Sequence, residues 1–325
     1  MNKKVLGMGN ALVDIITILE DDSLLEKFAL SKGSMQLVDR QFSMKVLQST
    51  ANLKRTRTSG GSAANTIYGL ANLGIDSGFM GKIGSDELGK FFRSEMEKHS
   101  IKTILYESSS DSGHAIALVS PDSERTFATY LGAAVELNAN DITPDIFRGY
   151  SYFHVEGYLV QNHKLLQKAL KLAKDNNMTV SLDLASFNVV NENLDFLKYV
   201  IDQYVDIVFA NEEEAKAFTG KKPDEAVDDI ARHCEFAVVK KGSKGSIIKK
   251  GEERYYIDII PVNLLDTTGA GDLYASGFLY GLANNLPLDK CGAAGAFIAG
   301  KVIEVLGAKM DEDRWQQVHN KLKKL

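Results

Sequence analysis

The chain has 325 residues, of which 44% are hydrophobic and 25% are charged, and its formal net charge is −5. This composition is typical of a globular protein with a large core and differs from that of disordered, collagen-like or membrane-spanning chains. An acidic balance without a basic stripe argues against a surface that binds nucleic acid.

Strand-like and helix-like segments alternate along most of the chain. A short buried strand at Val5 to Gly9 comes first, and a helix over 62–73, a strand over 76–81 and a helix over 86–99 follow. Further strands are predicted at 152–155, 179–183, 206–210 and 236–240, each followed by a helical or turn pattern. This alternation predicts an α/β fold with a mostly parallel sheet covered by helices on both faces.

Two segments, at about 11–40 and 102–131, have β patterns without helical alternation. In the second segment apolar and polar residues alternate on both sides of the turn Ser120-Pro121-Asp122-Ser123, as in an antiparallel hairpin. The two segments could pair into one small sheet that projects from the main domain and acts as a lid over a site. We therefore predict a single domain over 1–325 with a lid at about 11–40 and 102–131.

The most informative motif is Asp266-Thr267-Thr268-Gly269-Ala270-Gly271-Asp272, which directly precedes an apolar helical pattern. Its small residues would free backbone N–H groups at a helix N-terminus, where phosphate or a developing anion can bind. Asp272 beside such a site is suited to removing a proton from a hydroxyl rather than to binding the anion. A glycine-rich helix start with an N-cap aspartate is the structural alternative.

Two other segments contain candidate ligands for an acceptor. Gly60-Gly61-Ser62-Ala63-Ala64-Asn65 is a second glycine-rich helix start, and Asn65 offers both a donor and an acceptor to a hydroxyl. Close packing of helices through small residues explains the same text. Asp14 is an acid within an apolar strand, so it needs a partner, which could be sugar hydroxyls, backbone groups or an arginine.

Two strand ends indicate sites for metal and nucleotide. Asn211 and Glu214 follow an apolar strand and could hold a hydrated Mg²⁺ near phosphates, although acids also favour a first helical turn. The basic, glycine-punctuated segment from Lys240 to Gly245 suits nucleotide phosphates, and an ordinary surface hairpin is equally compatible with it.

Cellular location is predicted from features that the sequence lacks. No apolar run approaches the roughly 20 residues of a membrane span, and the N-terminus lacks the apolar core of a signal peptide. Cys234 and Cys291 are too few for a disulfide framework, which fits a reducing compartment. We expect a cytoplasmic protein.

In their order along the chain these motifs resemble the ribokinase-like, or PfkB, carbohydrate kinase family. The segment 60–65 together with Gly81-Lys82-Ile83-Gly84-Ser85-Asp86 resembles the first family signature, and 266–272 resembles the second. Asn211-x-x-Glu214 resembles the metal and phosphate motif, and 7–14 is most similar to the adenosine kinase branch. The resemblance implies a three-layer αβα sandwich with a small β-sheet lid, and it implies ATP and Mg²⁺.

The resemblance also implies roles for single residues. Asp272 matches the catalytic base, and Gly269, Ala270 and Gly271 match the anion hole. The resemblance implies Asn10, Asp14, Gly61 and Asn65 for the acceptor hydroxyls, and Asn211 and Glu214 for Mg²⁺ and phosphates. It implies the following residues for ATP: Asn211, Lys241, Gly242, Ser243, Gly245 and Thr268. Arg125 is implied near the phosphates, and Asp266 and Thr268 match positions where some members hold a monovalent cation such as K⁺.

The predicted function is ATP-dependent phosphorylation of a primary hydroxyl, the 5′-OH of a ribose-containing nucleoside such as adenosine. Phe127, Tyr158 and Phe187 could stack on a base or belong to the core. A free-sugar kinase and a non-catalytic nucleoside or sugar sensor remain alternatives. We expect a small-molecule partner, no nucleic acid, no membrane, and either a monomer or a homodimer that forms through the lid.

Overall fold

The computed structural model describes residues 3–122 and 124–325, which form two sheets flanked by helices. The strands of this described chain are β1 Val5–Met8, β2 Leu12–Ile18, β3 Met35–Leu37, β4 Arg55–Gly60, β5 Ser77–Gly84, β6 Lys102–Ser108, β7 Gly113–Val119, β8 Arg125–Tyr130, β9 Tyr152–Glu156, β10 Thr179–Asp183, β11 Ile207–Asn211, β12 Phe236–Lys240, β13 Ser246–Lys250 and β14 Glu253–Ile257. The helices are α1 Ser23–Lys27, α2 Arg40–Ser49, α3 Ser62–Asn72, α4 Glu87–Lys98, α5 His163–Asp175, α6 Phe187–Glu192, α7 Leu194–Tyr204, α8 Glu212–Thr219, α9 Pro223–Ile230, α10 Ala270–Ala283, α11 Leu288–Val302 and α12 Glu312–Leu322.

The main sheet has nine strands in the order β14-β13-β12-β11-β10-β9-β1-β5-β6. The seven strands from β12 to β6 in this order are parallel to their neighbours, and β13 and β14 add an antiparallel edge. Since the carboxyl ends of the parallel strands all lie at the same end of the sheet, polar residues that end these strands converge there. The predicted mostly parallel sheet is confirmed.

Helices cover both faces of the main sheet because its strands are apolar on both sides. In β11, Ile207 and Phe209 pack into one hydrophobic cluster, and Val208 and Ala210 pack into another on the opposite face. Helices α3, α10, α11 and α12 contribute to the first cluster, and α5, α7, α8 and α9 contribute to the second. The predicted three-layer sandwich is confirmed. In the described part of the chain, no helix is long and apolar enough to cross a bilayer.

The second sheet is the small one, with the order β3-β8-β7-β2-β4. Strands β2 and β7 pair in parallel from Leu12 opposite Gly113 to Ile18 opposite Val119, so the two distant β segments do form one sheet. The expected lid boundaries need two corrections. Strand β6 pairs with β5 in the main sheet, and β4, outside the expected ranges, belongs to the small sheet.

Both differences have a physical reason. Strand β6 is an edge strand and only partly buried, so its alternating pattern imitates that of a hairpin strand. Strand β4 reads Arg55-Thr56-Arg57-Thr58-Ser59-Gly60 and has no apolar alternation, so its sequence does not indicate a strand. Its pairing with β2 supplies the structure that its own side chains do not predict.

Candidate active site

A cavity of about 520 Å³ lies where the carboxyl ends of the main-sheet strands meet the small sheet. Asp183, Asn211 and Lys240 are the last residues of β10, β11 and β12, and all three line it. Asp14 and Phe127 reach it from the small sheet. The small sheet is thus placed as the predicted lid would be, next to the crevice where open α/β sheets bind ligands.

Asp272 is the third residue of α10 and its carboxylate faces α3. One oxygen, Oδ1, accepts a hydrogen bond from Ser62 Oγ at 2.7 Å, and Oδ2 accepts one from Asn65 Nδ2 at 3.0 Å. Burial raises the pKa of Asp272 to about 6, although these two hydrogen bonds act to lower it. A carboxylate with a pKa just below neutral is ionised at pH 7 and basic enough to accept a proton efficiently.

Three of the four predicted acceptor residues, Asp14, Gly61 and Asn65, line the same cavity as Asp272, whereas Asn10 does not. Asn65 Oδ1 accepts a hydrogen bond from Lys309 Nζ at 3.2 Å, which fixes the amide with its nitrogen toward Asp272. Asp14 lies against Gly60, where any Cβ would be 2.3 Å from Asp14 Oδ1. Burial raises the pKa of Asp14 to about 6, and the charge of Lys309 opposes that shift. Asp14, Gly61, Asn65 and Asp272 therefore line one cavity, as expected from the sequence.

The predicted anion hole is the first turn of α10. Gly269 is the N-cap residue with φ +76°, a left-handed conformation that glycine adopts without strain. Ala270 and Gly271 begin the helix, where backbone N–H groups have no partner within the helix; Ala270 N donates instead to Thr267 O at 3.1 Å. A Cβ on Gly271 would be 3.0 Å from Lys240 Nζ, so the glycine allows the ammonium group to lie close to the helix end.

A second cavity, of about 370 Å³, adjoins the first on the other side of this helix end. Gly242, Ser243 and Gly245 line it, together with apolar residues that include Ile260, Val262, Leu264, Tyr274 and Ala296. Lys241 is not among the described residues that line either cavity, and its ammonium lies 5.7 Å from the centre of the Tyr256 ring. An apolar cavity that ends at a glycine-rich loop and a helix N-terminus suits a nucleotide whose phosphates point toward Asp272.

Asn211 and Glu214 form a reciprocal cap at the start of α8. The Glu214 carboxylate accepts hydrogen bonds from Asn211 N at 2.7 Å and Asn211 Nδ2 at 2.6 Å, and Asn211 Oδ1 accepts one from Glu214 N at 2.9 Å. Burial, and then the charge of Asp183, raises the pKa of Glu214 to about 7. Because Mg²⁺ prefers one or two carboxylates plus phosphate and water oxygens, this site fits Mg²⁺.

Asp266, the predicted ligand of a monovalent cation, already has a cationic partner. The Arg125 guanidinium from β8 donates to Asp266 Oδ2 and, at 2.9 Å, to Thr268 Oγ1. Asp266 also accepts hydrogen bonds from Thr268 N at 3.0 Å, Thr268 Oγ1 at 2.8 Å and Gly307 N at 2.5 Å. Because the Arg125 guanidinium already neutralises the Asp266 carboxylate, these residues do not fit an additional K⁺ ion.

Some site residues were not predicted from the sequence. Lys240 belongs to the basic segment that the sequence indicates for phosphates, but its partner was not predicted: it donates to Asp183 Oδ2 at 2.8 Å. The position of both residues at the ends of buried strands was the available signal. Glu156, which ends β9, accepts hydrogen bonds from Asn10 N at 2.9 Å and Ala63 N at 3.0 Å, and burial raises its pKa to about 7. Ser62 and Lys309 reach Asp272 and Asn65 only through the tertiary fold.

Asn10 and Tyr158 extend the site toward a third cavity of about 420 Å³. Tyr158 lines both this cavity and the first one. Asn10 is 5% exposed, and its Oδ1 has no hydrogen-bond partner among the described residues. Phe187, the third aromatic candidate, is 43% exposed and is absent from the described residues that line the three cavities.

Comparisons with known proteins identify the family to which the chain belongs. The pfkB family carbohydrate kinase model matches residues 31–314. Two solved structures are 31% identical to the chain: a protein described as a probable sugar kinase from Rhizobium etli (TM-score 0.89, 98% of each chain covered) and adenosine kinase from Sinorhizobium meliloti (TM-score 0.88, 99% of this chain and 100% of that chain covered). A 5-dehydro-2-deoxygluconokinase from Geobacillus kaustophilus is 29% identical over 269 residues, which cover 76% of this chain and 79% of that protein.

The family match extends over most of the chain and includes the two glycine-rich helix starts that meet at Asp272. The proteins that this chain resembles are named for different acceptors: one as a probable sugar kinase, one as an adenosine kinase and one as a 5-dehydro-2-deoxygluconokinase. The chain belongs to the pfkB family of carbohydrate kinases and is an ATP-dependent kinase of a sugar or a nucleoside.

Proposed function

We propose that the protein transfers the γ-phosphoryl group of ATP to the 5′-OH of a ribose-containing nucleoside such as adenosine. The observation that favours a nucleoside is the presence of two aromatic side chains in the acceptor cavity. Phe127 comes from the lid and Tyr158 from the main domain, and both line the cavity that contains Asp14 and Asp272. Aromatic rings stabilise a planar base by stacking, whereas a free sugar needs mainly hydrogen bonds.

The reaction would begin with the acceptor hydroxyls on Asp14, Asn65 and Gly61, which line one cavity with Asp272. Asp272 takes the proton of the attacking hydroxyl, and backbone N–H groups at 269–271 stabilise negative charge on the transferred group. The Arg125 Nη2 atom is buried and has no hydrogen-bond partner among the described residues, and Arg125 is not among those that line the three cavities. A contact between this atom and a phosphate would therefore require the site to rearrange.

Asn211 and Glu214 would hold Mg²⁺ through water molecules, as their carboxylate and amide oxygens allow. The ion, when bound, neutralises phosphate charge. Closure of the small sheet would exclude water from the activated phosphoryl group, since water would otherwise compete with the acceptor. Phe127 and Asp14 belong to that sheet, so its closure would also complete the acceptor cavity.

A panel of acceptors tests this proposal. ATP consumption with adenosine, inosine, ribose, fructose and a keto-sugar acid should give the highest kcat/KM with a nucleoside. Phe127→Ala and Tyr158→Ala should raise the KM for the nucleoside, by about tenfold for a stacking contact worth 1–3 kcal/mol. The same variants should leave the low activity with ribose unchanged. Faster turnover of a free sugar than of every nucleoside would refute the proposal.

A free-sugar acceptor is the second candidate. The likeness to a 5-dehydro-2-deoxygluconokinase favours it, and so does the pair of carboxylates, Asp14 and Asp272, which can bind the hydroxyls of a free sugar equally well. In that case Phe127→Ala and Tyr158→Ala would change the KM of all acceptors alike or leave it unchanged.

A further inference from the structure

We propose that Lys240 is a catalytic residue that exchanges Asp183 for an oxygen of the γ-phosphoryl group during transfer. This role deepens the mechanism above and depends on the kinase activity of the family, but it does not depend on which acceptor is used.

The position of Lys240 between the two cavities is the first observation. Five of the described residues line both the acceptor cavity and the apolar nucleotide cavity: Lys240, Gly242, Thr267, Ala270 and Gly271. Lys240 is the charged member of this set. A phosphoryl group that passes from ATP to the acceptor must cross this shared wall, because the two cavities meet there.

The close approach of Lys240 to the anion hole is the second observation. Its Nζ atom lies 3.0 Å from the position that a Cβ on Gly271 would occupy, so the ammonium is adjacent to the first turn of α10. An ammonium at this place adds a full positive charge to the partial charges of the helix end. Both would act on the same equatorial oxygens of the transferred group.

The charges around Lys240 are the third observation. Asp183, Glu214 and Asp272 are its carboxylate neighbours, and Asp183 Oδ2 accepts its hydrogen bond at 2.8 Å. Burial lowers the pKa of Lys240, but the charges of Asp183 and Glu214 outweigh it and raise the pKa above its usual value, so the side chain stays protonated. ATP would bring further negative charge to a site that already has three carboxylates, and Lys240 supplies a counter-charge.

The proposed step is balanced as follows. The proton of the acceptor hydroxyl passes to the Asp272 carboxylate, the acceptor oxygen forms a bond to the γ-phosphorus, and the bond from that phosphorus to the β,γ-bridging oxygen breaks. ADP leaves with the bonding electron pair. Lys240 keeps its protons and returns to Asp183 when the phosphorylated product departs.

Lys240→Met tests the role. We expect kcat to fall by about 10²–10³-fold, as for loss of one donor to a developing anion. Calorimetry without an acceptor separates a contact with the γ-phosphoryl group from general nucleotide binding. The Lys240→Met protein should bind ADP with the affinity of the unchanged protein. It should bind β,γ-methylene ATP about 10–100-fold more weakly, as expected for a lost hydrogen bond between charged groups. Lys240→Arg should recover part of kcat. An unchanged kcat, or equal weakening of both nucleotides, would overturn the proposal.

A matched control comes from the amino ends of the main-sheet strands, opposite to the carboxyl ends that line the cavity. Lys174 forms a similar pair with Asp206, with Nζ to Oδ1 at 2.7 Å, at the residue before β11. Lys174→Met should leave kcat and both nucleotide affinities unchanged. A loss in this variant comparable to that of Lys240→Met would indicate that lysine–aspartate pairs act only by stabilising the sheet, and would overturn the proposal.

Removal of Lys240 alone leaves Asp183 buried without its counter-ion, which can prevent folding. The double variant Asp183→Asn/Lys240→Met removes both charges, and Asp183→Asn alone is its reference. We expect the double variant to be folded and to have a kcat about 10²-fold or more below that of the reference. Equal kcat values in these two variants would overturn the role of Lys240. If none of these proteins, including the unchanged one, phosphorylated any acceptor, the kinase assignment would be contradicted. The nucleotide-binding measurements would still test Lys240 in that case.

Discussion

Asp266 and Asp272 belong to one seven-residue motif, yet the hydrogen-bond partners of Asp266 include a cation and those of Asp272 are neutral. Asp266 is paired with the Arg125 guanidinium and also accepts hydrogen bonds from backbone N–H groups of Thr268 and Gly307. Among the described residues, the hydrogen-bond donors to the Asp272 carboxylate are two neutral groups, Ser62 and Asn65, and Asp272 faces the acceptor cavity with a raised pKa. A fully paired carboxylate fixes structure, whereas one left with weak partners can exchange a proton.

Asp272→Asn should have the largest effect on catalysis. We expect kcat to fall by about 10²–10⁴-fold, which is the usual contribution of a general base, with little change in acceptor affinity. Because folding raises the pKa of Asp272, its ionised form opposes folding at neutral pH, so the amide should not lower the melting temperature. Steady-state kinetics and thermal unfolding check both expectations, and near-normal turnover would contradict the assignment of the base.

Asp266→Asn should act mainly on stability. It leaves the buried Arg125 guanidinium without its counter-ion, and we expect the free energy of unfolding to fall by about 3–5 kcal/mol. Urea denaturation measures this change. The exposed pair of Arg57 and Glu87 provides a control, because Glu87→Gln should cost less than about 1 kcal/mol. An Asp266→Asn protein of unchanged stability that lacks activity would show that the two aspartates do not divide these roles.

The pH profile sharpens the contrast. Since Asp272 must be ionised to accept a proton and its pKa is about 6, kcat/KM for the acceptor should be constant near pH 7–8 and fall at least roughly tenfold per unit below pH 6. Asp14 has a pKa of about 6 as well and could steepen the fall. Asp14→Asn should therefore keep a single-proton slope. A flat profile down to pH 5 would place the base elsewhere.

Monovalent cations should have the smallest effect. With Arg125 on Asp266, replacing K⁺ by tetramethylammonium should leave kcat unchanged. In Arg125→Ala the Asp266 carboxylate loses its guanidinium, so K⁺ should increase the remaining activity. Rates at matched ionic strength measure both. Stimulation of the unchanged protein by K⁺ would mean that a cation binds despite the arginine.

The features predicted from the sequence are those encoded by contiguous residues. The motif 266–272 and the segment 60–65 each form a helix start, and their local sequences predict that geometry. Buried strands such as β11 were predicted because their residues are apolar on both faces. Strand β4 was not, since polar residues form it and its partner β2 lies more than 30 residues away.

The unpredicted part of the site depends on contacts between distant residues. Lys309 lies 244 positions from Asn65, and nothing in its neighbourhood marks it as a site residue. Arg125 and Asp266 were both predicted as site residues, but their sequences do not show that they pair with each other. A charge that meets its partner only through the fold leaves no local pattern.

Arg125 and Phe127 are two residues apart on β8, so their side chains lie on the same face of the strand. One is fixed to the loop that begins the anion hole, and the other lines the acceptor cavity. A displacement of this strand by a poorly fitting acceptor would therefore also displace the loop beside the phosphate. Discrimination between acceptors would then be seen in the rate of transfer as well as in affinity, and incorrect acceptors could bind and yet react slowly.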